Sequence, residues 1–140
     1  DADGMSDGWE WAQFGNLTNS GSADNDGDTE NNYREYVANT QPTNAQSYFR
    51  FRDLATAVGT SNHQVRVYTE PQRKYSIYYS TGALSNNVSW TPFANTNWGV
   101  WLETASSSTN HIFTDNESTN TGGPLSSGAR RYYRVKVSFP

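Results

Sequence analysis

Asp24, Asp26, Asp28, Asn32 and Glu35 place oxygen side chains at positions one, three, five, nine and twelve of one acidic stretch. A hard cation such as Ca²⁺ takes six to eight oxygens at about 2.3–2.6 Å. A curled loop supplies them from alternate side chains, one backbone carbonyl and a bidentate carboxylate at its end. Glu35 stands where that carboxylate is needed, and Glu30 where the carbonyl is needed. An acidic run without this alternation repels itself and stays solvated. One residue departs from the pattern: Thr29 sits where such loops turn sharply and usually carry glycine.

The opening residues repeat the pattern from position three onward, with Asp1, Asp3, Asp7 and Glu10 as side-chain ligands, Met5 at the carbonyl position and Gly4 at the turn. The first ligand of this copy would lie one position before Asp1, so the site is expected to be cut short, completed by water or completed by another chain. The expected cofactor is therefore Ca²⁺, held in two neighbouring loops.

Other chemistry has weaker carriers. His63 and His111 lack the surroundings of a metal pair or a nucleophile elbow. Glycoside hydrolysis needs two carboxylates across a cleft. The later part of the chain offers Asp53, Glu70, Glu103, Asp115 and Glu117, of which Asp115, Asn116 and Glu117 read as a turn. No catalytic residue is assigned, and the expectation is a non-enzyme. Sugar binding needs an exposed flat aromatic, and Trp98 and Trp101, three apart on a strand, point to opposite faces, so only one could serve. Trp90 is expected to plug the core. Asn16, Asn87 and Asn116 head Asn-x-Ser/Thr sequons and are candidate glycosylation sites.

The elements that must position these groups change period along the chain. Trp9 to Phe14 reads as a short helix ended by Gly15, with Trp11, Phe14 and Leu17 on one side. A second runs from about Asn32 to Ala38, with Tyr33, Tyr36 and Val37 at helical spacing, and Pro42 stops the chain from continuing it. Helices this short need the metal and their aromatics to hold them. From Ser47 the period becomes two, with strands expected near 48–54, 63–70, 73–80, 88–94, 98–104, 109–114 and 130–139. Residues 1–46 thus form a paired loop segment, and residues 47–140 a seven-stranded antiparallel β-sandwich, making the chain mainly β.

Composition agrees with a life outside the cell. Cysteine is absent, aromatics reach 14%, and Asn, Ser, Thr and Gly abound. Disulfides and thiolate-bound zinc are excluded, and calcium is the staple left for a secreted domain. No run of about 18 apolar residues is present, so membrane insertion is not expected. The net charge of −4 is unevenly spread. Residues 1–47 carry nine acids against Arg34 alone, a balance of −8, and residues 48–140 carry nine bases against five acids, a balance of +4. Those bases alternate along strands and do not cluster, which argues against nucleic acid.

The D-x-D-G…D-x-W-E and D-x-D-x-D…N-x-x-E pairs, each leading into an aromatic helix, resemble the calcium loops of thrombospondin type 3 repeats and, more distantly, dockerins. The segments Glu70-Pro-Gln-Arg-Lys-Tyr-Ser-Ile-Tyr-Tyr, Trp90-Thr-Pro-Phe, Phe113-Thr-Asp and Arg131-Tyr-Tyr-Arg-Val resemble the fibronectin type III-like module of bacterial surface proteins. The resemblances imply a calcium-stabilised extracellular or cell-surface module with an immunoglobulin-like sandwich. The charge polarity and the unfinished first loop suit head-to-tail association of the chain with itself, as the subunit of a fibre or array. The alternative is an accessory or adhesive module of a larger secreted protein that binds surface carbohydrate.

Overall fold

The computed structural model describes residues 2–59, 61–81, 88–94, 99–127 and 129–140. The chain divides into two compact units, Asp1–Arg50 and Phe51–Pro140.

The first unit is two short helices, each entered through an acidic loop. Helix α1 spans Asp7–Phe14, where the Ser6 hydroxyl accepts from the amide of Trp9 and Gly15 ends the helix in the left-handed region. Helix α2 spans Asn32–Ala38, where the Asn31 side chain accepts from the amide of Arg34 and Asn39 takes the left-handed cap. Both starts satisfy amides that a helix leaves without internal partners. Trp9 is the hub, with its ring 5.9 Å from Phe14 and 5.2 Å from Tyr36, and Tyr33 lies 6.5 Å from Tyr36. The expected face of Trp11, Phe14 and Leu17 is corrected here, since Trp11 and Leu17 are exposed and Trp9 packs instead. Gly15 ends the helix before Leu17, the inner face carries Trp9, Glu10 and Phe14, and Trp11 lies roughly 200° round from Trp9.

Among the described residues the second unit has seven strands in two antiparallel sheets, a sandwich-like arrangement. Strands β1 (Phe51–Thr56), β2 (His63–Thr69) and β6 (Thr109–Asp115) form one sheet in the order β1-β2-β6. In the other, β3 (Lys74–Ser80) pairs with β7 (Tyr132–Ser138) along one edge. Along its other edge β3 pairs with β4 (Thr91–Pro92) and β5 (Val100–Leu102). The alternation expected in β3 and β7 is observed: Tyr75, Ile77 and Val135 are buried, and their neighbours along the strands face outward. These three meet Val65, Val67, Phe93 and Phe113 in the core.

The strands expected near 88–94 and 98–104 shrink to β4 and β5. Pro92 has no N–H to extend a ladder, and residues 95–98, with Trp98, lie outside the described residues. Trp90 does not plug the core: the guanidinium of Arg134, an outward residue of β7, lies 5.9 Å from its ring, which puts Trp90 on the outer face. Phe93 fills the inner position.

Two buried carboxylates fasten the sheets at the two ends of β6. Oε2 of Glu103 accepts from the hydroxyls of Thr69 and Thr109, each at 2.7 Å, and from Trp101 Nε1 at 3.3 Å, while Oε1 accepts from the amide of Ala105. Asp115 pairs with the buried guanidinium of Arg131 and accepts from the Tyr133 hydroxyl at 2.7 Å. Among the described residues no helix is long and apolar enough to cross a membrane.

Candidate metal centre

The second acidic loop is shaped by its own carboxylates. Asp24 Oδ1 accepts from the amide of Gly27 at 2.7 Å and Oδ2 from that of Thr29 at 2.9 Å. Asp26 Oδ1 accepts from the amide of Asp28, and Asp28 Oδ1 from that of Glu30. Asp26 and Asp28 thus spend one oxygen on the turn and keep Oδ2 buried with no hydrogen-bond partner. One carboxylate oxygen from each of Asp24, Asp26 and Asp28 lies within 4.8 Å of the others.

Glu35 and Asn32 come to the same loop from helix α2. Glu35 is 1% exposed and Asn32 is wholly buried, and Glu35 Oε2 and Asn32 Oδ1 have no hydrogen-bond partner. The Asn32 amide group donates to the Ser20 carbonyl at 2.9 Å and to Asn25 Oδ1, which fixes which of its two ends stays free. Burial, then the charges of Asp26 and Asp28, push the Glu35 carboxyl up to about 8, against a 3.4 Å contact from the Thr40 hydroxyl that pulls it down. Glu35 does not itself fall within the 4.8 Å cluster, and the Glu30 side chain pairs with Arg34 at the surface. A buried carboxylate without a donor is costly unless a cation reaches it. The donors are all oxygen, a set that suits Ca²⁺ rather than a soft or imidazole-seeking metal, so the residues present fit the expected ion.

Thr29 has φ +84°, the left-handed conformation expected of glycine at this place. A β-branched residue there is strained. In the first loop Gly4 takes the equivalent φ of +96°, and a side chain on it would press on the Tyr33 ring at 3.1 Å.

The first loop is less complete. Glu10 is 0% exposed with both carboxylate oxygens unpartnered, and burial followed by the charge of Asp3 raises its pKa. Asp3 Oδ1 accepts from the Met5 amide at 3.0 Å, while Oδ2 accepts from the amide of Gly21 at 2.7 Å, tying this loop to the approach of the second. Among the described residues Asp3, Asp7 and Glu10 do not converge as the second set does, and Asp1 lies outside the described residues. The Asp3 to Gly21 tie was not legible from spacing; Gly21 ahead of the second loop was its only trace.

The remaining candidates are occupied by structure. His63 opens β2, and His111 stacks on Trp101 with ring centroids 4.2 Å apart, so one face of that indole is covered. Asp53 lies 3.5 Å from Arg66, and Glu70 accepts from the Ser108 hydroxyl at 2.6 Å. Asp115 does begin a turn, accepting from the Glu117 amide, but it is also the buried partner of Arg131. Asn16 donates from Nδ2 to the Phe14 carbonyl and accepts from the Thr18 hydroxyl, and Asn116 accepts from the Thr121 hydroxyl. Asn87 lies outside the described residues. No family model, curated protein or solved structure matches the chain.

Proposed function

We propose that the chain is a non-enzymatic, calcium-stabilised extracellular module, and that it serves as a self-associating subunit of a surface fibre or array. The observation that carries the calcium reading is the set of buried, unpartnered oxygens on Asp26, Asp28, Asn32 and Glu35 around one loop. Asp24, Asp26, Asp28, Asn32, the Glu30 carbonyl and Glu35 would hold the ion. When bound, it supplies positive charge that neutralises the loop and fixes the start of α2. The thrombospondin type 3-like and fibronectin type III-like readings belong to the same proposal. Support for a structural role comes from the buried carboxylates of the second unit, both spent on hydrogen bonds that join its sheets. Support for self-association is the charge polarity, −8 over residues 1–47 against +4 over residues 48–140, which makes contact between the first part of one copy and the second part of another attractive and able to propagate.

Calorimetric titration with Ca²⁺ is expected to show saturable binding that Glu35→Gln weakens strongly, because the amide offers one oxygen where the carboxylate offers two. At a hundredfold excess over Kd, binding stabilises the first unit by about 2.7 kcal/mol. Hydrogen exchange in chelator should open the amides of α1 and α2 and leave those of β2, β3 and β6 protected. Identical exchange with and without chelator defeats the calcium reading. Sedimentation should give polymers in calcium and monomers in chelator; a strict monomer at high concentration in calcium defeats the fibre reading alone.

A further inference from the structure

Strand β7 is seven residues long and pairs with β3 in an unbroken register from Lys74↔Ser138 to Ser80↔Tyr132. Among the described residues no strand pairs with its other edge. Bare edges are templates for another strand, and folded proteins blunt them with bulges, charges or cover. The corresponding edge strand of the other sheet is blunted, for β1 carries a register shift between Phe51 and Asp53. β7 has no such irregularity.

Beside this edge the two sheets leave a groove of ≈ 340 Å³, lined chiefly by Phe51, Leu54, Val65 and Tyr133, with Asp53 and Arg131 as its charged members. Phe51 and Leu54 are 48% and 60% exposed, although both are large and apolar. Arg131 is held by Asp115 and by the Gly123 carbonyl. An exposed apolar floor is what the apolar side chains of an incoming peptide would cover.

The charge on β7 selects the partner. Outward-facing Arg134 and Lys136 are exposed, and neither has a carboxylate within 4.0 Å among the described residues. Two copies of β7 paired antiparallel about Val135 would set Arg134 against Lys136, and like charges directly opposite destabilise a ladder. The same charges favour acids at those cross-strand positions. We propose that the outer edge of β7 accepts an extended strand of another protein, apolar at alternate positions and acidic between them, with its apolar side chains seated in the groove. Main-chain hydrogen bonds supply affinity in such strand addition, and the alternate side chains supply specificity.

The test uses the full chain in calcium with three short labelled peptides, one alternating Val and Asp, one scrambled from the same residues, and one alternating Val and Lys. Only the first is expected to bind saturably by fluorescence anisotropy. Leu54→Asp, at an exposed position, should abolish that binding with an unchanged circular dichroism spectrum. The double change Arg134→Glu with Lys136→Glu should weaken it at least about tenfold and admit the Val/Lys peptide. Equal binding of the scrambled peptide, or indifference to the charge reversal, overturns the proposal. So do peptide-free dimers lost on Leu54→Asp, which assign the edge to a second copy. No step involves the calcium loops, so failure of the calcium reading leaves the proposal standing.

Discussion

Glu35 and Glu103 are both buried glutamates, one in each unit, and their surroundings drive them to opposite ends of the carboxyl range. Burial alone would raise both. At Glu35 the neighbouring acids add to burial and the carboxyl rises to about 8. At Glu103 burial is outweighed by donors from Thr109, Thr69, the Ala105 amide and Trp101, which hold it at about 2. A buried carboxylate supplied with donors is a fastener, whereas one left among other carboxylates stores a demand for positive charge. The second unit answers its buried carboxylate with its own donors, whereas on the calcium proposal the first would be answered by an ion.

The largest effect should come from removing a fastener. Asp115→Asn leaves the Arg131 guanidinium, 2% exposed, without its counter-charge. It should cost the second unit about 3–5 kcal/mol in denaturant unfolding. Glu35→Gln in chelator should do the reverse to the first unit and raise its melting temperature, since the change removes a buried acid that lies among other carboxylates and whose Oε2 has no hydrogen-bond partner. Loss of stability in both cases would erase the distinction between the two carboxylate classes.

Acid and base should then separate the units. Glu103 titrates lower folded than unfolded, so its contribution is present above the unfolded value of 4.5 and is lost as pH falls through about 2. Metal-free Glu35 titrates higher folded than unfolded, so its contribution is present below 4.5 and is lost as pH rises through about 8. Hydrogen exchange in chelator is expected to show protection of α2 falling from mildly acidic to mildly alkaline pH while the second unit holds steady. Saturating calcium should cancel the alkaline loss, because the ion takes the proton's place.

The smallest effect tests strain. Thr29→Gly relieves a β-branched residue at φ +84° and should stabilise the calcium-loaded first unit by about 1 kcal/mol, read as a higher melting temperature. A loss of stability would mean that the threonine makes contacts outweighing its backbone.

The sequence carried most of this contrast on one side only. The loop positions, α2 from Asn32 to Ala38, the Gly15 cap and the alternation of β3 and β7 follow from local spacing, which propensity and period report. The fasteners do not: Thr69 is 34 residues from Glu103, and Arg131 is 16 from Asp115, so nothing local marks them as partners. Trp11 falls outside the packed face expected of it because Trp9, roughly 200° round the helix, takes the contact with Tyr36, a pairing between helices that spacing within one helix does not show. Gly99 lies against Phe93 so closely that a side chain would meet it at 2.8 Å, a contact that strand periodicity cannot register.

The hydrogen bond from the Gly21 amide to Asp3 gives the two loops a shared cost of ordering. Gly4, pressed beneath the Tyr33 ring of α2, adds to it. Under the calcium proposal, with an ion in each loop, whichever loop is filled first immobilises part of the other, so the second ion would meet a chain whose conformational entropy has already been reduced. Occupancy should therefore rise more steeply with free calcium than two independent loops allow. By reciprocity, the affinity each ion gains from the other is the same. Under that proposal the segment would pass from loose to rigid over a narrow range of calcium concentration.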